Sequence, residues 1–423
     1  MAPGTLPMTQ VVIVGGGPTG LLTAVLLSAR GVESVVLERS TALAPGSRAI
    51  GVTPPSLEIL DSVGLADAMV SRGVLVRRAV VHNGRRPMGE LRFDGVHPRF
   101  PGMLSCPQAT SWTILNQEAE SDRRIELRRE VTACSAHREG NAVVVECDRG
   151  PPVPARVLVV ADGAGGNTAL ELGFRRRAGS YRQRFFMADV KDRSGFGAAA
   201  HLWFTRDGSV ESFPLPDARR RWIVQLTESH GGAPSNGRAA VDLEAMVARR
   251  TGIRLSPADR LWESSFQPSW SRLDRFADAG VFVVGDAAHT MSPIGGQGMN
   301  TGFADAELAA LLIARRLRPD AGYGMGKWTG DLEQVYHRAR VRAAASATRR
   351  AWAGMSIGTM RGSAADFVRS HLITLLLSSP LLQERLARHF AMLTIPCGRA
   401  HRSLRKMGLS HPDNGDEAPE QRA

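Results

Sequence analysis

The chain has 423 residues, 43% hydrophobic and 22% charged, which is enough to bury a large core and too apolar for an intrinsically disordered protein. The net charge is +12, yet only three of the 53 basic residues are lysine (Lys191, Lys327, Lys406). The arginines are scattered, so the excess reads as arginine usage and argues against a nucleic-acid protein.

The N-terminus has no charged signal region and runs straight into a β-branched stretch, 10–14, closed by glycines. A helical apolar run, 21–30, ends at Gly31, and a second apolar run follows at 34–37. Strand, helix and strand within about thirty residues are the unit of a parallel sheet. Residues 57–63 read as helix stopped by Gly64. Strands are expected at 76–82, 125–134 and 142–148, with a helix at 111–120. The continuous apolar run 157–161 suits a strand buried on both faces. From 185 to 228 the pattern is strand-rich (186–190, 199–204, 210–214, 222–227), with turns at Asp207-Gly208 and 217–220, as in a separate antiparallel sheet. Another buried strand, 281–284, leads through a glycine-rich loop into a long helix, 299–316. Helices follow at 332–355 and 367–393, the latter interrupted near Pro380 and too short on either side to span a bilayer. This last pair is expected to pack on the first domain, and 411–423 to be a disordered tail. Cys106, Cys134, Cys147 and Cys397 form no C-x-x-C pair and no zinc spacing. They read as free thiols in a reducing, cytoplasmic setting, with no metal site.

Gly15-Gly16-Gly17-Pro18-Thr19-Gly20 fits G-x-G-x-x-G after a strand and before a helix. Gly15 makes the tight turn, Gly17 admits a pyrophosphate, and Gly20 allows close helix–strand packing. The helix N-terminus favours the phosphates, and Glu38 ends the next strand where a carboxylate accepts from ribose hydroxyls. Asp162-Gly163 follows the 157–161 strand, an ordinary turn taken alone. The third motif runs from Gly285-Asp286-Ala287-Ala288-His289 through Pro293, Gly296 and Gly298 to Met299 and Asn300. It carries a carboxylate at a strand's end and glycines before a helix start.

The three motifs in this order resemble the single-component flavin monooxygenases related to para-hydroxybenzoate hydroxylase, especially the aromatic polyketide hydroxylases. The resemblance covers about residues 8–350. It implies an α/β fold: a Rossmann-like FAD-binding domain with a parallel sheet (1–75, 107–175, 277–345), an inserted antiparallel-sheet substrate domain (76–106, 176–276) and C-terminal helices (346–410). It implies that Gly15, Gly17 and Gly20 cradle the FAD pyrophosphate, that Glu38 binds the adenosine ribose and that Arg39 packs by the adenine. Arg48 matches the family arginine near flavin and pyridine nucleotide, Gln108 the glutamine beside the ribityl chain, and Val131 the backbone contact to adenine. Asp162 serves FAD and NAD(P)H, Asp286 the ribityl chain, while Pro293, Gly296, Gly298, Met299 and Asn300 line the isoalloxazine. Ala169 stands where the family's second motif has arginine, and the chain lacks room for the thioredoxin-like domain of many relatives.

The activity so implied is NADPH- or NADH-driven hydroxylation of an aromatic, polyketide-type small molecule by O₂ through a C4a-hydroperoxyflavin. The protein acts as monomer or homodimer, without nucleic acid or membrane. Epoxidation or Baeyer–Villiger insertion on the same scaffold, and a non-catalytic nucleotide-binding module, stay open as alternatives. His201 and His289 are the histidines considered as substrate base, His289 reading as structural. His201, Trp203, Phe213 and Trp222 are candidates for the pocket wall, since they share the expected antiparallel sheet.

Overall fold

The structure, a computed structural model, describes residues 8–41, 49–226, 242–293, 296–317 and 329–395. The expected opening forms as strand Thr9–Val14, helix Pro18–Ser28 and strand Ser34–Glu38. Thr9–Val14 lies between Ser34–Glu38 and Val153–Val160, and Ile125–Arg129 and Val281–Val283 extend the sheet on either side, all parallel. The central strands Thr9–Val14, Val153–Val160 and Val281–Val283 end in unbroken apolar runs that are buried on both faces, whereas the outer Ile125–Arg129 is mostly polar. Pro18–Ser28 is buried almost throughout, since it is wedged among the sheet, the Gln108–Ser121 helix and the Gln297–Leu317 helix.

The 125–134 expectation splits in two. Glu130 takes a positive φ of 56°, so Ile125–Arg129 stays in the parallel sheet while Ala133–Glu139 pairs antiparallel with Ala142–Cys147. The 76–82 stretch splits as well. Val74–Val76 pairs with Met103–Ser105, and Arg78–Asn83 joins a second, seven-stranded sheet.

That second sheet runs Arg260–Phe266, Arg184–Lys191, Arg219–Leu226, Gly208–Leu215, Ala200–Thr205, Arg78–Asn83, Arg86–Arg92. Every pairing in it is antiparallel except Ala200–Thr205 with Arg78–Asn83. A helix unforeseen in the sequence, Leu243–Thr251, covers one face. Asp242 caps it by accepting from the Ala245 N–H (2.8 Å), and Gly252 ends it in the left-handed region. Its Leu243, Met246 and Val247 pack on Phe186, Trp203, Val210, Trp222 and Val224.

The C-terminal part is helical as expected: Thr329–Gly358, Ser363–Ser378 and Pro380–Phe390. The last pair does not pack on the first domain as expected. It covers the edge strand Arg86–Arg92, with Leu377 against Gly89, and Asn83 donates to Asp366 (3.1 Å) and Ser370 (2.7 Å). An uncovered edge strand is a template for aggregation, and this strand offers Leu91 to the helices. No helix among the described residues is long and apolar enough to cross a membrane. Cys106, Cys134 and Cys147 are free thiols; Cys397 and the 411–423 tail lie outside the described residues.

Candidate functional site

The three motifs sit at the carboxyl ends of neighbouring parallel strands: Gly15 after Thr9–Val14, Asp162 after Val153–Val160, Asp286 after Val281–Val283. That edge is where open α/β sheets bind ligands.

The glycine loop is packed so tightly that its residue types are dictated by neighbours. A Cβ on Gly15 would lie 2.3 Å from the Ala161 carbonyl oxygen, and φ there is +107°. A Cβ on Gly16 would lie 2.9 Å from the Glu38 side chain, and one on Gly20 would lie 2.0 Å from the Gly15 carbonyl oxygen. Gly17 differs: a Cβ there would meet nothing within 4 Å. The protein itself leaves this position open, and a side chain there would take the room of any group brought against the loop. Glu38 closes the loop, its carboxylate accepting from the Gly16 N–H (2.7 Å) and the Ser40 N–H (2.8 Å). Trp112 adds a tie that sequence reasoning missed. Its indole N–H donates to the Gly16 carbonyl (2.9 Å), with the Arg129 guanidinium 5.5 Å over its ring. It stands just after Gln108, which begins the Gln108–Ser121 helix and is half-buried.

Other predicted contacts are narrowed by bonds already made. The Val131 N–H donates to the Glu38 carbonyl (3.1 Å), which leaves only the Val131 carbonyl for a ligand. Arg39 is exposed, and Arg48 lies outside the described residues. Asp162 accepts from the Thr168 N–H (3.1 Å), and a Cβ on Gly166 would fall 1.9 Å from its carboxyl carbon, so the second motif is folded back on itself. Burial pushes the Asp162 carboxyl up despite the Thr168 bonds.

In the third motif Asp286 is solvent-exposed, and no hydrogen bond to its carboxylate is made among the described residues. It is accessible yet hemmed in by protein, and this loss of hydration, with Asp305 nearby, pushes its carboxyl up against the pull of His289. Behind it His289 is buried and donates toward Asp305 (Nε2–Oδ2 2.7 Å), so it is a structural residue. Asp305 also takes the Gly285 N–H (3.0 Å) and the Arg340 Nε (2.5 Å), and Arg340 reaches the Thr301 carbonyl (3.1 Å). Burial alone would raise the Asp305 carboxyl; Arg340 and His289 outweigh it and hold it below the usual range. Pro293 is exposed, Gly296 has φ +64° and donates to the Pro293 carbonyl (3.0 Å), and Gly298 has open space where a Cβ would stand. Met299 is half-buried. The Asn300 side chain, expected at the flavin, is spent elsewhere. It donates to Gly51 (2.9 Å) and Gly296 (2.6 Å) and accepts from the Thr53 N–H (2.9 Å), clamping Gly51–Val52 to the motif. The backbone at Asn300 stays in the first turn of the Gln297–Leu317 helix, where N–H groups have no partner within the helix.

The second sheet corrects the expected pocket wall. Side chains alternate across a strand, and the pleat sends His201, Trp203 and Trp222 to the face under Leu243–Thr251, away from the motifs. There His201 stacks on Phe196 (3.7 Å between centroids), meets His82 (3.0 Å) and is buried beside the Arg220–Asp192 pair. Phe213 lies on the opposite face, with Leu202, Phe204, Glu211, Arg221 and Ile223. Tyr181 and Met187 extend that face, and Tyr181 bonds to the Ser292 backbone, so this is the face that meets the third motif.

His201 makes a testable point. Burial, then His82 and Arg220, lowers its pKa to about 4, below the 6.5 of a free imidazole. The unfolded chain therefore binds this proton first, and stability falls as pH drops from 6.5 through 4. In denaturation at pH 7 and pH 4.5, His201→Gln should recover on the order of 2 kcal/mol of the wild-type acid loss.

Comparison with known proteins agrees with this geometry. The family model described as FAD binding domain matches residues 8–351. The 6-methylpretetramide 4-monooxygenase of Streptomyces rimosus is 34% identical over 320 residues, covering 74% of this chain and 57% of that protein. This chain thus spans less than two thirds of that relative's length. The p-nitrophenol 4-monooxygenase PnpA of Pseudomonas putida DLL-E4 superposes with a TM-score of 0.81 at 20% identity, over 92% of this chain and 99% of that one. CabE, an aromatic hydroxylase from angucycline biosynthesis, superposes with a TM-score of 0.71 at 26% identity, over 92% and 77%. The chain belongs to the FAD binding domain family.

Proposed function

We propose that this chain is an FAD-dependent monooxygenase that hydroxylates an aromatic, polyketide-like small molecule in the cytoplasm. The observation that carries the reading is the convergence on one edge of open Gly17, exposed Asp286 and the start of Gln297–Leu317, facing a largely apolar sheet. These residues fit FAD: the Gly17 backbone admits the pyrophosphate, Asp286 accepts from ribityl hydroxyls, and the helix start stabilises negative charge on the flavin ring. When bound, the flavin supplies oxygen transfer at the expense of NAD(P)H and O₂. The chain's own work is to hold the ring, orient the aromatic substrate against Phe213, Ile223 and Met187, and keep water out. The relatives named above include a 6-methylpretetramide 4-monooxygenase and an aromatic hydroxylase from angucycline biosynthesis, which supports an aromatic substrate here.

The purified protein should show a flavin spectrum and consume NADPH and O₂ faster when a phenolic polycycle is added. Protein that stays colourless after reconstitution with FAD, and consumes neither, overturns the reading. Product mass and NMR separate ring hydroxylation from epoxidation and Baeyer–Villiger insertion. Asp286→Ala should weaken FAD binding about tenfold, the loss of one charge-assisted hydrogen bond, read by equilibrium flavin fluorescence.

A further inference from the structure

We propose that Glu211 recognises the substrate of this site, its carboxylate taking the hydrogen bond of a hydroxyl on a phenolic or enolic polycycle. The inference rests on the monooxygenase reading above and adds the residue that selects hydroxylated substrates.

Glu211 sits in the middle of the seven-stranded sheet, on Gly208–Leu215, with a strand paired on each side. In register it faces Leu202 on one neighbour and Ile223 on the other, and Ile223 faces Met187 beyond. It is thus a single acid in an otherwise apolar row. On the helix-covered face of these three central strands the residues are buried: His201 and Trp203, Val210 and Ser212, Arg220, Trp222 and Val224. On the other face Leu202, Phe204, Glu211, Phe213 and Ile223 are all only half-buried. A residue on an interior strand that keeps accessible surface looks into open space.

That space is walled on several sides. Ser105 donates to the Pro214 carbonyl (2.6 Å) at one end. At the other, Thr359 ties the end of Thr329–Gly358 to Gln183 (3.1 Å) and Gln225 (3.4 Å). Tyr181, bonded to Ser292, joins the sheet to the third motif. The Glu211 carboxylate has no hydrogen-bond or ion-pair partner among the described residues. Nearby charged groups are engaged elsewhere: Arg221 holds Asp189 in two contacts (2.6 and 2.9 Å), and Arg369 donates to the Met360 carbonyl and to Asp366. A partnerless acid in an apolar hollow is costly unless something enters to bond it. Burial, with no neighbouring charge contributing, raises its pKa to about 7. Near neutrality it can therefore take a proton from a substrate hydroxyl: the substrate O–H bond breaks, an O–H bond forms on Glu211, and the electron pair stays on the substrate oxygen to enrich the ring.

The test compares 2-hydroxyanthraquinone with anthraquinone, titrated by tryptophan fluorescence into the flavin-loaded protein at pH 8. Wild type should bind the hydroxylated probe about tenfold more tightly. Glu211→Met, close in size and apolar, should erase that preference, and Glu211→Gln should keep part of it. Both variants should also melt roughly 2–4 °C above wild type at pH 8 and converge with it at pH 5. The sign follows from the raised pKa: the native carboxylate is disfavoured as pH climbs from 4.5 through 7, and neither variant carries it. A wild type without preference, or a Glu211→Met variant that keeps it, overturns the proposal. If the preference is lost as expected while the wild type consumes no NADPH with any phenol, the monooxygenase reading fails and the recognition role stands.

Discussion

Asp305→Ala should cost about 3–5 kcal/mol in denaturant unfolding. Asp305 is fully buried and bonds the buried Arg340 guanidinium. Removing it takes a carboxylate contact from that interior cation and takes the acceptor from the Gly285 N–H and His289, which position the third motif. Against a typical domain stability of about 5–15 kcal/mol, this is a large share. Much of the cost comes from buried polar groups losing the acceptor they are built around, so the pair change Asp305→Leu with Arg340→Met should restore part of the loss. A single variant that loses less than about 1 kcal/mol, within the range of a surface ion pair, would show that Arg340 is satisfied without Asp305.

A pair of glycine variants should separate folding from cofactor binding. Gly17→Val should fold like wild type, because a Cβ there meets no protein atom, yet bind FAD about 100-fold more weakly, about 3 kcal/mol, because the added methyls occupy the pyrophosphate's approach. Gly20→Val should not fold, since its Cβ would overlap the Gly15 carbonyl oxygen at 2.0 Å and force the first helix off the sheet. Circular dichroism and flavin fluorescence on the two proteins check both halves. A Gly17→Val protein with unchanged FAD affinity would mean that the pyrophosphate does not cross this loop.

The parallel half of the molecule was legible because its signals are local. A β-branched run, a glycine turn and an apolar helix announce one another within thirty residues, and the motif carboxylates follow the strands that carry them. The second sheet was legible only as strands. Which face of a strand meets the ligand depends on what covers the other face, and here that cover is Leu243–Thr251, whose short pattern carried no clear signal. With no face assigned to these strands, His201, Trp203 and Trp222 stood out beside Phe213 as large and aromatic, while Glu211, one residue from Ser212, passed unnoticed. Trp112 and the Asn300 clamp were hidden for another reason: both act across long sequence separations, which one chain's pattern cannot pair.

The strand order of the second sheet also has a kinetic consequence. Arg78–Asn83 and Arg86–Arg92 are made early, but their sheet partner Ala200–Thr205 follows roughly a hundred residues later. At ribosomal speeds of about 5–20 residues per second, the hairpin waits on the order of ten seconds for it. A parallel pairing of such long span closes slowly, and the open edge is sticky meanwhile. Expression yield should therefore respond to temperature and chaperone supply through this one junction, independently of the stability of the finished protein.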